Sequence, residues 1–219
     1  DNPYSTTESI PIESPFLKLE GKPLLVTVPT KEGILGDKLT AFAPNTTGIP
    51  YFKGDRNCNM EIIKQLYDIN RLFENVEHFT EAFESFKRLS NVELGYRGLE
   101  GLINEYFEDV RQTALCISTR GQAGKGDIDY FLSGIKRVKS FMYKDKYMIE
   151  NAIKDASRVA YLTTCFEKGM LHIEKYSGNP EEIAFLKISD NISSKLRKLK
   201  SISPESYYYW AKTDELIKG

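Results

Sequence analysis

The chain has 219 residues, of which 41% are apolar, and this is enough to bury one sizeable hydrophobic core. A formal net charge of −1 argues against a dedicated nucleic-acid binder, and three widely spaced cysteines argue against a disulfide framework. No apolar run approaches the length of a membrane span, so we expect a soluble protein without a transmembrane segment.

The first 57 residues are predicted to form an extended or β-hairpin arm. Seven of the nine prolines lie within the first 50 residues, and the fixed φ and missing N–H of proline exclude long helices there. The stretch KPLLVTVP (22–29) is typical of a short strand, and we expect it to pair with DKLTAFAP (37–44) through a glycine turn. Because so long an irregular segment rarely folds alone, the arm is expected to lie on its own body or on a partner.

From about Met60 the apolar residues recur at steps of three and four, which indicates amphipathic helices. The last of these helices, from Ile149, is predicted to be the longest, at about 30 residues. Helices of this kind joined by short connections predict a mainly α fold, an antiparallel bundle of about four main helices in residues 58–200. The stripes cover 62–73, 76–86, 99–117, 128–142 and 149–173, and the first two are compatible with a single helix.

Two further helix starts follow the predicted bundle. Asn179 precedes Pro180, and Ser203 precedes Pro204, so that a capping residue stands before a proline at the first helical position. The second start begins a C-terminal aromatic helix in residues 201–219. This helix carries four consecutive aromatic residues that cannot all lie on one side, so we expect some to bind a partner, with packing on the bundle as the alternative. The four are Tyr207, Tyr208, Tyr209 and Trp210.

The stretch RGQAGKGDIDYF (120–131) superficially suggests a phosphate-binding loop. A Walker-type loop requires Ser or Thr after its Gly-Lys pair, whereas Lys125 is followed by Gly126. We therefore interpret the stretch as a connection between helices in which Asp127 caps the second helix. A bare anion site at that helix N-terminus stays open as an alternative.

No residue pattern in the chain indicates an enzyme. Glu74, His78 and Glu81 share one face of a predicted helix, but that face lies opposite the apolar stripe and should point to water. Glu105 and Glu108 are expected to form a charged helix flank. Because no nucleophile motif, zinc pattern or cofactor motif is present, we predict no catalytic residue, no metal and no cofactor.

Two basic clusters lie in the C-terminal half, where they are interleaved with apolar residues. Such clusters can bind phosphates, nucleic acid or an anionic membrane surface, although the same spacing is typical of a basic helix in a core. The clusters consist of Lys136, Arg137 and Lys139, and of Lys195, Arg197, Lys198 and Lys200. They contribute to an uneven charge, with a net −6 over residues 1–115 and +5 over 116–219. Two solvated surfaces are the default interpretation of this asymmetry, and head-to-tail contact between copies or with partners is the alternative.

These features favour a non-catalytic structural or protein-interaction subunit whose arm docks on a partner or on a neighbouring copy. One alternative is a phosphate- or nucleic-acid-binding protein that uses the basic clusters. Others are a membrane-active helical toxin and a carrier with a small-ligand pocket inside the bundle. Because the chain starts at Asp1 and not at Met, we expect a processed or trimmed chain, and nothing in the sequence indicates a compartment.

Overall fold

The protein is described by a computed structural model that covers residues 4–16, 18, 20–142 and 146–219. The fold is mainly α, as predicted, with helices over 58% of the described residues and two small antiparallel β-hairpins. The strands are β1 Thr7–Pro11, β2 Leu25–Pro29, β3 Phe52–Lys53 and β4 Arg56–Asn57. The helices are α1 Lys31–Ala41, α2 Asn59–Asn75, α3 Thr80–Tyr96, α4 Ile103–Ser118, α5 Ile128–Val138, α6 Ile149–Glu167, α7 Leu199–Ile202 and α8 Pro204–Lys218. Short 3₁₀ helices cover Lys139–Phe141, Pro180–Ile183 and Ser194–Lys198.

The N-terminal hairpin differs from the predicted one in its partner strand. The expected strand in 22–29 is present as β2, but it pairs antiparallel with β1, so that Ile10 lies opposite Val26. The predicted strand at 37–44 is wrong, because most of that stretch lies in helix α1. This helix begins at a Thr30 cap whose hydroxyl accepts a hydrogen bond from the Gly33 backbone N–H.

Helix α1 belongs to the hydrophobic core and not to an extended arm. Leu35, Leu39 and Phe42 are fully buried, at the spacing of one helical face, and the helix packs on α3 and α2. Gly36 permits this close packing, because a Cβ at this position would lie 2.3 Å from the Ala82 carbonyl oxygen of α3. Of the predicted arm in residues 1–57, only the segment before Lys31 therefore extends away from the helices. The predicted boundaries at residues 57 and 200 stay predictions.

Helix α6 lies at the centre of the fold, with 14 of its 19 residues buried. It packs on α2, α4 and α8, and a helix that is buried on every side must lie inside a core. The prediction of a helix of about 30 residues is wrong, because α6 ends at Glu167. Gly169 has a φ of 67°, and the Met170 N–H bonds to the Cys165 carbonyl, which is the Schellman arrangement that ends a helix.

The capping signals at the two predicted helix starts beyond the bundle are confirmed in part, and the first two apolar stripes form two helices. The Asn179 side chain accepts from the Glu181 N–H at the start of the 3₁₀ helix Pro180–Ile183. Helix α8 begins at Pro204, but the Ser203 hydroxyl lies 2.6 Å from that of Ser206 and caps no backbone N–H. The single helix that the first two stripes allowed is instead two, because Val76 adopts an extended conformation between α2 and α3.

We predict that Gly36→Ala lowers the free energy of unfolding by about 1–3 kcal/mol, because the new Cβ collides with the α3 backbone. Gly95→Ala is the matched control. A Cβ at Gly95 has Glu100 Oε1 at 3.9 Å as its nearest neighbour, so this change should raise stability by no more than about 1 kcal/mol. Urea unfolding of both variants measures the difference, and equal effects would contradict the tight contact between α1 and α3.

Candidate functional site

The base of the N-terminal hairpin is fixed to helix α3 by polar contacts. The hydroxyls of Ser5 and Thr6 both donate to Glu81 Oε2, at 2.6 and 3.2 Å, and Arg88 donates to the Ser5 hydroxyl at 3.1 Å. Partial burial acts to raise the pKa of Glu81, but the hydrogen bonds from Ser5 and Thr6 hold this pKa below its usual value. Glu81 therefore stays ionised and holds the hairpin base at neutral pH.

The far end of the same hairpin exposes apolar side chains. Phe16 and Leu24 are 75% and 74% exposed, and Leu25 is nearly as open. We call this group the hairpin tip, which consists of Ile10, Ile12, Phe16, Leu24 and Leu25. The register places Ile10 and Leu25 on opposite faces of the hairpin, so both faces of its far end are apolar and exposed. Large exposed apolar areas mark contact sites more often than single exposed residues do. The hairpin thus combines an anchored base with an exposed apolar end.

The outer edge of β1 carries no strand partner among the described residues, since its sheet consists of β1 and β2. The Ile12 N–H bonds to the Leu24 carbonyl and the Thr30 N–H to the Thr6 carbonyl. Hydrogen-bonded pairs alternate along an antiparallel ladder, so the N–H groups of Thr7 and Ser9 point away from β2. An open edge of this kind can accept contact with another chain.

The four aromatic residues predicted to bind a partner are buried in the core. Each is exposed by no more than 4%, and the packing alternative accounts for the run. Their polar atoms are bonded within the chain: Tyr207 to the Leu186 carbonyl, Tyr208 to Glu174, Tyr209 to the Tyr176 N–H, and Trp210 to the Ser118 hydroxyl. Tyr207, Tyr208, Tyr209 and Trp210 therefore offer no exposed aromatic surface in this structure.

The two basic clusters lie on elements with different neighbours. Lys136 and Arg137 belong to α5, which packs on α2, α4 and α6, and Lys139 starts the 3₁₀ helix that follows it. The second cluster, Lys195, Arg197, Lys198 and Lys200, lies on the Ser194–Lys198 helix and α7, both of which pack on α8.

Several members of these clusters are engaged within the chain. Arg137 donates to Asn59 Oδ1 at 2.7 Å, and Arg197 pairs with Asp190 at 2.9 Å. Lys195 and Lys198 are exposed and form no ion pair with a described residue. These two lysines are therefore the free charges of the second cluster.

The glycine-rich stretch forms the predicted connection between helices. Gly124 has a φ of 87°, and a Cβ there would lie 2.4 Å from the Cys116 backbone nitrogen of α4. The Asp127 carboxylate accepts from the N–H groups of Asp129 and Tyr130, as predicted for the cap. The cap therefore occupies the N–H groups that an anion site at this helix start would need.

The other predicted acidic groups do not form a site. Glu74 lies at the C-terminal end of α2, His78 lies in the connection between α2 and α3, and Glu81 lies in α3. The three residues therefore do not share one helix face. Glu105 and Glu108 are exposed, as expected for a charged flank. Within residues 4–16, 18, 20–142 and 146–219, no group of three or more His, Cys, Asp or Glu is placed to hold a metal. The three cysteines are free and buried.

A pocket between α2 and α6 was missed by the sequence analysis. This polar pocket has a volume of about 330 Å³, and its walls include Asn70 and Glu74 of α2, Tyr147, and Lys154 and Asp155 of α6. The Tyr147 hydroxyl donates to Asp155 Oδ2 at 2.8 Å. Burial raises the pKa of Asp155 to about 7, although the Tyr147 hydrogen bond and the nearby Arg158 and Lys154 charges oppose that rise. The sequence signal that could have revealed the pocket was Asp155, a carboxyl group beside the apolar stripe of α6.

Comparison with family models, with curated proteins and with solved structures finds no match for this chain. Among the helices of the described residues, none combines the length and the apolar character needed to cross a membrane.

We predict that Asp155→Asn changes the pH dependence of stability. The pKa of Asp155 is about 7 in the folded chain and about 3.9 for an aspartate in the unfolded chain, so between these values the folded state binds more protons than the unfolded state. Stability from this group is therefore present at low pH and is lost as the pH rises towards 7.

The free energy of unfolding of Asp155→Asn minus that of wild type should therefore increase by about 1–3 kcal/mol from pH 5 to pH 8. Guanidinium unfolding at the two pH values measures this difference. Exposed Asp129→Asn is the matched control, with an expected effect within about 0.5 kcal/mol at either pH. If the difference in the free energy of unfolding between Asp155→Asn and wild type is the same at pH 5 and pH 8, the pKa of Asp155 is not raised and the prediction is wrong.

Proposed function

We propose that this protein is a non-catalytic structural or interaction subunit whose N-terminal hairpin docks on a neighbouring copy. The observation that supports this most is a hairpin that is anchored at its base and exposes apolar residues at its tip. A two-stranded hairpin is marginal by itself in water, and covering its apolar surface stabilises it by about 25 cal/mol for each Å² buried. Docking on another chain would cover this tip.

The helices provide a rigid base for the hairpin, and we propose that they form an antiparallel bundle. Helices α2, α4 and α8 pack around α6. The connections over 76–79 and 97–102 are short, and short connections favour antiparallel neighbours.

The receiving surface on the neighbouring copy is an apolar and basic area that includes α7. Phe185 and Ile202 are 93% and 68% exposed, and Lys200 donates to the Ala184 carbonyl, which places α7 beside Phe185. We call Phe185, Lys195, Lys198, Lys200 and Ile202 the receiving patch. Apolar side chains with free lysines fit a hairpin tip that is flanked by exposed glutamates.

Charge supports this pairing of surfaces. The hairpin carries exposed Glu8, Glu13 and Glu20 together with exposed Lys18 and Lys22, so its own net charge is only −1, and it lies in the half of the chain with a net charge of −6. The receiving patch lies in the half with a net charge of +5. Because tip and patch are different surfaces, their contact is heterologous, and it builds rings or open chains of subunits and not a simple two-fold dimer.

We predict that wild type self-associates with rising concentration and that the double variant Leu24→Asp, Leu25→Asp is monomeric, because charge on the tip opposes burial. Ile202→Asp should also be monomeric, because it places a carboxylate in the receiving patch. Tyr96→Asp is the control: Tyr96 is 83% exposed on α3, outside both surfaces, and its replacement should leave association unchanged. Sedimentation velocity measures the masses, and thermal unfolding verifies that each variant is folded.

Mixing the two monomeric variants gives a sharper test. The Ile202→Asp chain keeps its tip and the tip variant keeps its patch, so an equimolar mixture should form a dimer that grows no further. A monomeric wild type at every concentration, or association that the tip variant retains, would contradict the proposal.

A further inference from the structure

The polar pocket is walled by two helices that lie far apart in the sequence. Its volume of about 330 Å³ falls at the lower end of the range of small-ligand pockets, about 300–1,000 Å³. Several buried polar groups converge in it, whereas an empty packing defect between helices is apolar. Convergent polar groups are what orient a ligand in a binding site.

Asn70 presents an unsatisfied acceptor in this pocket. Its side chain is 3% exposed, and its Nδ2 donates to the carbonyl oxygens of Leu66 at 2.7 Å and Asp155 at 3.2 Å. Two carbonyl partners fix the orientation of the amide, because the reversed amide would place oxygen against oxygen. Asn70 Oδ1 is left without a hydrogen-bond partner among the described residues, and an orphaned buried acceptor costs about 1–3 kcal/mol. A bound N–H or O–H donor would remove that cost.

Asp155 lies beside this acceptor and offers a second oxygen-rich group. It is 5% exposed, and Tyr147 holds one of its oxygens. The ring of Tyr147 packs edge-on against that of Tyr67, with centroids 5.6 Å apart. A carboxyl group, an amide oxygen and aromatic rings are together the groups that receive an ammonium ion.

Positive charge also lies in the lining of the same pocket. Lys146 and Lys154 line it, and neither forms an ion pair with another residue in the described part of the chain. The remaining carboxylate of the wall, Glu74, is held by Arg158 at 2.7 Å. The charge of Lys154 also acts on Asp155 and Glu74, but without a close ion pair. Two ammonium groups in the pocket lining suit the carboxylate of a ligand.

We propose that the polar pocket binds a small zwitterion of the α-amino-acid class. The ligand ammonium donates to Asn70 Oδ1 and Asp155, and its carboxylate pairs with Lys146 and Lys154. This site is independent of the hairpin contact, so a monomeric tip variant should bind the ligand as wild type does.

The test is thermal unfolding of wild type with each of the twenty standard L-amino acids, followed by calorimetry of those that stabilise. At least one should raise the melting temperature and bind measurably. Lys154→Gln should weaken this binding on the order of tenfold while leaving the melting temperature of the free protein nearly unchanged. Lys168→Gln, an exposed change just beyond the C-terminal end of α6, is the matched control and should leave binding within about twofold.

Two derivatives of the bound amino acid test the two halves of the site separately. Its methyl ester lacks the carboxylate and its N-acetyl form lacks the ammonium group, and both should bind on the order of tenfold more weakly. Binding by none of the twenty amino acids would overturn the proposal and leave water as the partner of Asn70. Equal binding to wild type and Lys154→Gln, or undiminished binding of the N-acetyl form, would also overturn it.

Discussion

The arrangement of the helices depends on one charged residue, Arg158, near the middle of a helix that is surrounded by protein. Its guanidinium donates to Glu74 of α2 at 2.7 Å and to Glu205 of α8 at 2.8 Å. Burial acts to lower the pKa of Arg158, but the two carboxylates raise it above its usual value, so the charge persists inside the core. Loss of one partner from a fully buried pair costs about 3–5 kcal/mol, and the cost here is smaller because the Glu74 and Glu205 side chains are 37% and 25% exposed. The cluster still links the positions of α2, α6 and α8.

Glu74 connects this cluster to the polar pocket. The same carboxylate accepts from Arg158 and lines the pocket beside Asn70 and Asp155. Glu74 pairs with Arg158, and neither Lys146 nor Lys154 of the pocket lining forms an ion pair with a described residue, so both can contact a ligand. The fold therefore fixes the pocket wall before any ligand binds, whereas the hairpin tip has its partner, by our proposal, only in a second chain.

The helices that the sequence predicted well are those whose burial follows a simple stripe. Helices α2, α4 and α5 have their apolar residues at three- and four-residue steps, and each formed where expected. Helix α1 was missed because its two glycines disfavour a helix locally, and the reason for Gly36 is the backbone of α3, which sequence periodicity does not reveal. The polar pocket was missed for a similar reason, since Asn70 and Asp155 meet only in the folded chain. The aromatic run was recognised, but burial against α6 and the segment before α7 could not be distinguished from a partner contact.

The central claim is that the hairpin tip and the receiving patch cover each other in neighbouring copies. Hydrogen–deuterium exchange of wild type at low and high concentration tests it directly, because backbone amides buried in a contact exchange more slowly. We predict slower exchange at high concentration in two segments, residues 5–16 and 184–202, with α3 unchanged. Exchange in both segments that does not depend on concentration would contradict it.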